Sequence, residues 1–208
     1  FIQSMIDIPN VMVVPADSPY NNVLEFVEAA KEQDMTFSHS GVGSSIHMSG
    51  ELFKTLTGTN MTAVPFAGSG AALPALLGGD VDVSFENMPT VYSHIQSGDL
   101  RALAVTSEER SEYLPDVPTL KEIGEHNLDQ FTTTAWFGLI AHESFPEEAV
   151  TAMQEALQNV MEREEFTSFV EQLGAKKGTL AGDEFKAFIA DEVARWDEVA
   201  AEAGIRQE

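Results

Sequence analysis

Two short segments rich in glycine and serine are the parts of this sequence best suited to bind a ligand. The first is Ser40-Gly41-Val42-Gly43-Ser44-Ser45, with His47 just beyond it, and the second is Ala67-Gly68-Ser69. Each lies between a short apolar run and a stretch with helical spacing, which predicts a loop from a strand into a helix. Helix N-termini present unpaired N–H groups and partial positive charge, and glycine lets an anion approach the backbone. Both segments therefore predict a carboxylate or phosphate site, although an ordinary capped helix start gives the same pattern.

Two polar residues follow a third predicted strand. Glu86 and Asn87 come directly after the alternating run Val81 to Phe85. At the end of a sheet strand they are placed to receive a ligand hydroxyl or ammonium group, and a solvated loop carboxylate is the plainer interpretation. Trp136-Phe137 is predicted to be core.

The motifs for cofactor, metal and nucleophilic chemistry are incomplete. Gly41-Val42-Gly43 lacks a third glycine at Ile46, so it does not match the dinucleotide fingerprint. There is no cysteine, and the five histidines form no ligand pattern, so we expect neither a cofactor nor a metal site. The glycine-x-serine-x-glycine elbow is absent, yet His39 and His47 lie near the serines. Serine-dependent hydrolysis therefore stays an alternative to our expectation that the protein is not an enzyme.

The charge balance excludes two classes of partner. The 208 residues include 34 acidic and 11 basic ones, for a net charge of −23. Nucleic acid and anionic membrane surfaces would be repelled, and no apolar run reaches the ~18 residues that cross a bilayer. We therefore expect no nucleic-acid binding and no membrane insertion. The excess charge is most simply a solvated acidic shell.

Strands and helices alternate through the first 106 residues. Apolar runs near 10–14, 36–38, 62–66, 81–85 and 100–106 predict strands, and helical spacing predicts helices between them. This order predicts an α/β fold with a largely parallel sheet. A further strand is predicted over 131–141, followed by helices over 146–163 and 183–203. Because these last helices have apolar faces but few strands beside them, we expect part of a sheet to be missing from this sequence.

Six ordered motifs extend over nearly the whole chain. They are the residues 40–53, 64–69, 76–82, 101–107, 114–119 and 136–139. In sequence and order they closely resemble the substrate-binding proteins of tripartite tricarboxylate transporters, the Bug or TctC-like family.

The resemblance implies a periplasmic-binding-protein-like fold of two α/β domains joined by crossing hinge strands. Residues 9–130 would form the second domain, while 1–8 and 131–208 would supply the hinge strands and C-terminal helices of a first domain that is incomplete in this chain. The implied function is capture of a small carboxylate in the periplasm for delivery to membrane permease subunits, with the two glycine–serine segments clamping the carboxylate. A sensor domain for the same ligands is the alternative.

Overall fold

The structure is a computed structural model that describes residues 1–206. Its strands are β1 Gln3–Pro15, β2 Met35–His39, β3 Met61–Pro65, β4 Val83–Asn87, β5 Leu100–Val105, β6 Thr134–Leu139 and β7 Lys176–Lys177. Its α-helices are α1 Val23–Glu32, α2 Ser45–Thr57, α3 Ser69–Leu77, α4 Met88–Ser97, α5 Leu120–Ile123, α6 Glu147–Met161, α7 Glu164–Gln172 and α8 Gly182–Glu202. A 3₁₀ turn spans Leu128–Gln130.

One long strand connects the two ends of the sheet. β1 is 13 residues long and pairs antiparallel with four other strands. Its first half, to Pro9, pairs with β6 and β7, and its second half, from Asn10, pairs with β4 and β5. Pro9 is tolerated inside the strand because it lies where one set of partners gives way to the next.

The sheet is mixed. The strand order is β3-β2-β4-β1-β5, and only β2 pairs in parallel, with β3 and with β4. The prediction of a largely parallel sheet was therefore wrong for β1, whose direction the alternation of strands and helices cannot reveal. The α/β class itself is confirmed, with helices packed on both faces of the sheet.

Two apolar clusters cover the two faces around β1. One contains Met12 together with Phe26, Phe53 and Phe85, and the other contains Val11 and Val13. The C-terminal end of α8 joins the first cluster through Val199, while Phe185 near its start packs beside Trp136 of β6. The division of the chain into two domains stays a prediction.

The C-terminal region holds one more helix and one more strand than expected. α7 and β7 lie between the two long helices, and β6 is shorter than the predicted 131–141. Within the described residues, no helix has both the length and the apolar character required to span a bilayer.

Candidate functional site

The loop over 40–44, which we call the glycine–serine loop, leads from β2 into α2. Gly41 and Gly43 have φ values of +142° and +78°, which a residue with a side chain rarely adopts. Ser44 is the N-cap of α2, and its hydroxyl accepts the His47 backbone N–H and donates to the Gly41 carbonyl. The sequence thus folds this loop through glycine geometry and a serine cap.

Two histidine rings lie under the same loop. The Gly41 N–H donates to Nδ1 of His39 and the Gly43 N–H donates to Nδ1 of His47, each at 3.2 Å. Both histidines are buried, and their ring centroids are 4.2 Å apart. The two glycine N–H groups, predicted to face a ligand, are therefore engaged with imidazoles in this structure.

His47 is held neutral by its surroundings. Burial lowers the pKa of its imidazole, and the neighbouring His39 and Lys54 lower it further, against the opposing effect of the Glu51 carboxylate. Nε2 of His47 is 3.8 Å from Glu51, and that carboxylate is paired at 2.8 Å with Lys54. A neutral ring with an acceptor at Nδ1 carries its proton on Nε2, which faces Glu51.

Beside the loop, the side chains of Asn10 and Asn87 converge on Ser45, the first residue of α2. The Ser45 hydroxyl lies 3.4 Å from the Asn10 amide nitrogen and 3.5 Å from the Asn87 amide oxygen. Asn10 is fully buried and also donates to the Phe85 carbonyl, while its own amide oxygen has no hydrogen-bond partner. Ser45 is thus presented at the carboxyl ends of the strands, where α/β sheets bind ligands.

A cavity of about 590 Å³ opens over these residues. Ser40, Gly43, Ser44, Ser45 and Asn87 form its polar wall. The facing wall comes from β6 and α8 and is mainly aromatic; it consists of Thr134, Ala135, Trp136, Phe137, Glu192, Trp196 and Ala200. A cavity with one donor-rich wall and one apolar wall suits a small molecule that carries a charged group on an apolar body.

One carboxylate orders the aromatic wall. Glu192 accepts hydrogen bonds from the indole N–H of Trp136 at 3.1 Å and of Trp196 at 2.9 Å. Arg195 lies 3.5 Å from the same carboxylate and stacks over the Trp196 ring. Because indole N–H groups need partners when buried, this network fixes both rings at the edge of the cavity.

The predicted site residues divide between this cavity and its surroundings. Val42 projects outward and is 63% exposed, and His47 supports the loop from below. Ala67, Gly68 and Ser69 do not line the cavity, and the α3 helix that they begin has no side-chain cap.

Glu86 also lies apart from the cavity. Successive strand residues point to opposite faces, so Glu86 points away from Asn87 toward the face that α3 covers. It is fully buried, and neither carboxylate oxygen makes a well-aligned hydrogen bond. Burial raises the pKa of this carboxyl, and the nearby Ser69 hydroxyl and Asn87 N–H only partly oppose the shift.

The aromatic wall and Asn10 are the functional residues that sequence reasoning missed. Phe137 was predicted to be core but is 53% exposed at the cavity. Glu192 and Trp196 lie on a helix with an ordinary amphipathic pattern, so nothing in the sequence separates them from other helix residues. The proline before Asn10 suggested a strand start and concealed its place in the middle of β1.

A second cavity, of about 370 Å³, lies between the 107–113 loop, α7 and α8. It shares only Thr134 and Glu192 with the first cavity. Across the described part of the chain, no three histidine or carboxylate side chains form a metal-binding cluster.

Comparison with known proteins gives one consistent family. Residues 1–205 match the model of the tripartite tricarboxylate transporter family receptor, TctC. The chain is 32% identical to protein BugT of Bordetella pertussis over 202 residues. It superposes with a TM-score of 0.86 and 30% identity on R. palustris Rpa4515 with adipate, and with the same TM-score and 29% identity on the periplasmic binding protein BugD.

The chain spans part of these relatives. The alignment with BugT includes 96% of this chain and 61% of BugT. The superposition on the Rpa4515 structure includes 98% of this chain and 68% of that one, and the superposition on BugD includes 100% and 70%. The family match nevertheless includes almost every residue of this chain. The chain therefore belongs to the tripartite tricarboxylate transporter receptor family, the TctC or Bug group of solute-binding proteins.

Proposed function

We propose that this chain captures a small carboxylate, with the carboxylate group bound at the N-terminus of α2. The observation that carries the proposal is the cavity whose polar wall is the glycine–serine loop and whose facing wall is aromatic. A single anionic group fits the polar wall despite the net charge of −23, because local donors outweigh a distant screened charge.

The donors for this carboxylate come from the first turn of α2. The N–H groups of Ser45 and Ile46 are the first two of the helix and have no intrahelical acceptor. The Ser45 hydroxyl and the Ser40 side chain stand at the same wall. The helix dipole adds a partial positive charge at this end. Gly41 and Gly43 contribute by shaping the loop, since their N–H groups bond to histidines.

The facing wall selects the rest of the ligand. Trp136 and Trp196 offer flat apolar surface, and the Glu192 carboxylate between them is already occupied by two indole N–H donors. A hydrocarbon chain or ring would bury apolar area there without leaving a polar group unpaired. We therefore propose a carboxylate with a short apolar body; adipate, the ligand of the Rpa4515 structure, has such a body between two carboxylates.

Membership of the TctC family supports a role in solute uptake. We propose that the protein acts in the periplasm and delivers its ligand to permease subunits of a tripartite tricarboxylate-type transporter, with a sensor role as the alternative. Binding without turnover fits the contacts of Ser44 and Ser45. Ser44 bonds to backbone groups, and the described partners of the Ser45 hydroxyl are Asn10 and Asn87, whereas a serine nucleophile needs a general base, such as histidine or lysine, within hydrogen-bond reach.

Titration calorimetry with adipate, and with dimethyl adipate as the uncharged control of equal length, tests the proposal. Adipate should bind and raise the melting temperature, because a ligand that binds only the folded state stabilises it. The diester should do neither. Equal binding of both compounds, or hydrolysis of the diester by wild type and not by Ser45→Ala, would contradict a carboxylate-binding role.

A further inference from the structure

We propose that His39 and His47 are positioning residues that hold the glycine–serine loop in its binding conformation, and that protonation of His47 breaks its contact with the loop, so that acidification releases a bound carboxylate. The inference rests on the proposed function for its consequence, but the pairing of histidines with glycines is a feature of the structure itself. It assigns a role to two buried rings that do not line the cavity.

The geometry gives each glycine its own acceptor. Nδ1 of His39 accepts from Gly41 and Nδ1 of His47 accepts from Gly43, both at 3.2 Å. Neither glycine N–H has a strand or helix partner, and both glycines have positive φ. These two bonds therefore tie the turn of the loop to β2 on one side and to α2 on the other.

Protonation of His47 would reverse the hydrogen-bonding role of its Nδ1 atom. A protonated imidazole carries a hydrogen on each ring nitrogen, so Nδ1 changes from acceptor to donor and faces the glycine N–H directly. The two rings are 4.2 Å apart, so a charge on one opposes a charge on the other. The groups around His47 are His39, Glu51 and Lys54, and Lys54 already pairs with the one carboxylate that would favour a charged ring.

The loop conformation determines the polar wall of the cavity. Ser44 is fixed by its hydrogen bond to the Gly41 carbonyl, and Ser40 and Ser45 flank the same turn. When the glycine N–H groups lose their acceptors, the turn loses its anchors and the serines lose their common orientation. If the bound state requires a neutral His47 ring, affinity falls by up to about tenfold per pH unit below the pKa of that imidazole.

His47→Asn separates positioning from simple packing, because the asparagine oxygen can accept from Gly43 but does not titrate. His94→Asn, which removes a histidine on α4, is the matched control. Adipate affinity is measured at pH 7.5 and 5.0 for wild type and both variants. We expect the loss of adipate affinity between the two pH values to be larger for wild type and His94→Asn than for His47→Asn, and this comparison corrects for titration of adipate itself. An equal loss in all three proteins would overturn the proposal.

Ring nitrogen NMR of the wild-type protein gives a second measurement that needs no ligand. Nδ1 of His47 should be unprotonated at pH 7.5, and the Gly43 amide signal should shift with the same midpoint as the His47 imidazole. A Gly43 amide signal that stays fixed while the His47 ring titrates would refute the positioning role. If adipate fails to bind wild type at any pH while the Gly43 amide follows the His47 ring, the proposed ligand is wrong and the positioning role stands.

Discussion

The two strand-to-helix loops look alike in sequence and differ in structure. The glycine–serine loop has a serine cap on α2, histidine acceptors beneath it and a cavity above it. The loop of Gly68 and Ser69 begins α3 without a side-chain cap and lies beside the buried Glu86 carboxylate. A glycine–serine motif at a helix start therefore does not identify a binding site alone. The residues packed beneath it decide whether donors are presented to a ligand.

The two regions differ in the space around a glycine in each helix, Gly50 in α2 and Gly70 in α3. A Cβ at Gly50 of α2 would overlap the Phe37 ring, whereas a Cβ at Gly70 of α3 would meet no atom within 4 Å. Gly50→Ala should destabilise the fold by about 1–3 kcal/mol through overpacking. Gly70→Ala should be neutral or add up to about 1 kcal/mol of helix stability. Urea unfolding measures the unfolding free energy of both variants, and similar changes in the two would contradict the packing beneath α2.

Ligand affinity should separate the two serines that begin the helices. Ser45→Ala should weaken adipate binding by about 1.5–3 kcal/mol if its hydroxyl donates to the carboxylate. Ser69→Ala, outside the cavity, should leave affinity unchanged. Calorimetric titration of both variants distinguishes the loops, and a loss at Ser69 as large as at Ser45 would move the site toward α3.

Helix capping offers a comparison that is independent of ligand. Ser44→Ala removes the N-cap hydrogen bond to His47 and should cost about 1 kcal/mol of unfolding free energy. Gly68→Ala in the second loop is strained by its φ of +91°, and Ser69→Ala would remove the hydroxyl beside the buried Glu86 carboxylate. The exposed Ser93→Ala within α4, which removes no cap, is therefore the control. Thermal unfolding should show a lower melting temperature for Ser44→Ala alone.

The smallest effect is expected at Glu86 and depends on pH. Because burial raises the pKa of this carboxyl above its ordinary 4.5, the folded state binds the proton more tightly than the unfolded state. Its contribution to stability is thus present below pH ~4.5 and is lost as pH rises through the folded pKa. Glu86→Gln should raise the melting temperature at pH 7 and give no gain near pH 4.5. The exposed Glu155→Gln serves as control, and an equal rise from it would refute a burial effect.

Most helices and strands could be predicted from the spacing of apolar residues and from the capping residues at their ends. α2 begins after a serine cap, as the glycine–serine segment predicts, and α2 and α4 each end at a left-handed glycine, Gly58 and Gly98. Strand direction did not follow, because an antiparallel pairing of β1 depends on contacts up to the far end of the chain. α7 was not predicted as a separate helix, although the helix predicted over 146–163 ends one residue before α7 begins.

The candidate site was half predictable. Apart from Asn87, the polar wall lies within residues 40–45, so glycine and serine spacing indicates it directly. The aromatic wall comes from residues 134–200, and its members meet the polar wall only through tertiary packing. Glu86 illustrates the limit of local reasoning, since side-chain alternation sends it to the opposite face from Asn87.

The pairing of β1 with four other strands affects how the protein unfolds. Its backbone amides are shared among four partner strands, so no partner group can lose its ladder without exposing part of β1. Native-state hydrogen exchange should therefore give the β1 amides on both sides of Pro9 a common, global opening free energy. Because this one segment pairs with four of the six other strands, its slowest-exchanging protons should report the stability of the whole sheet.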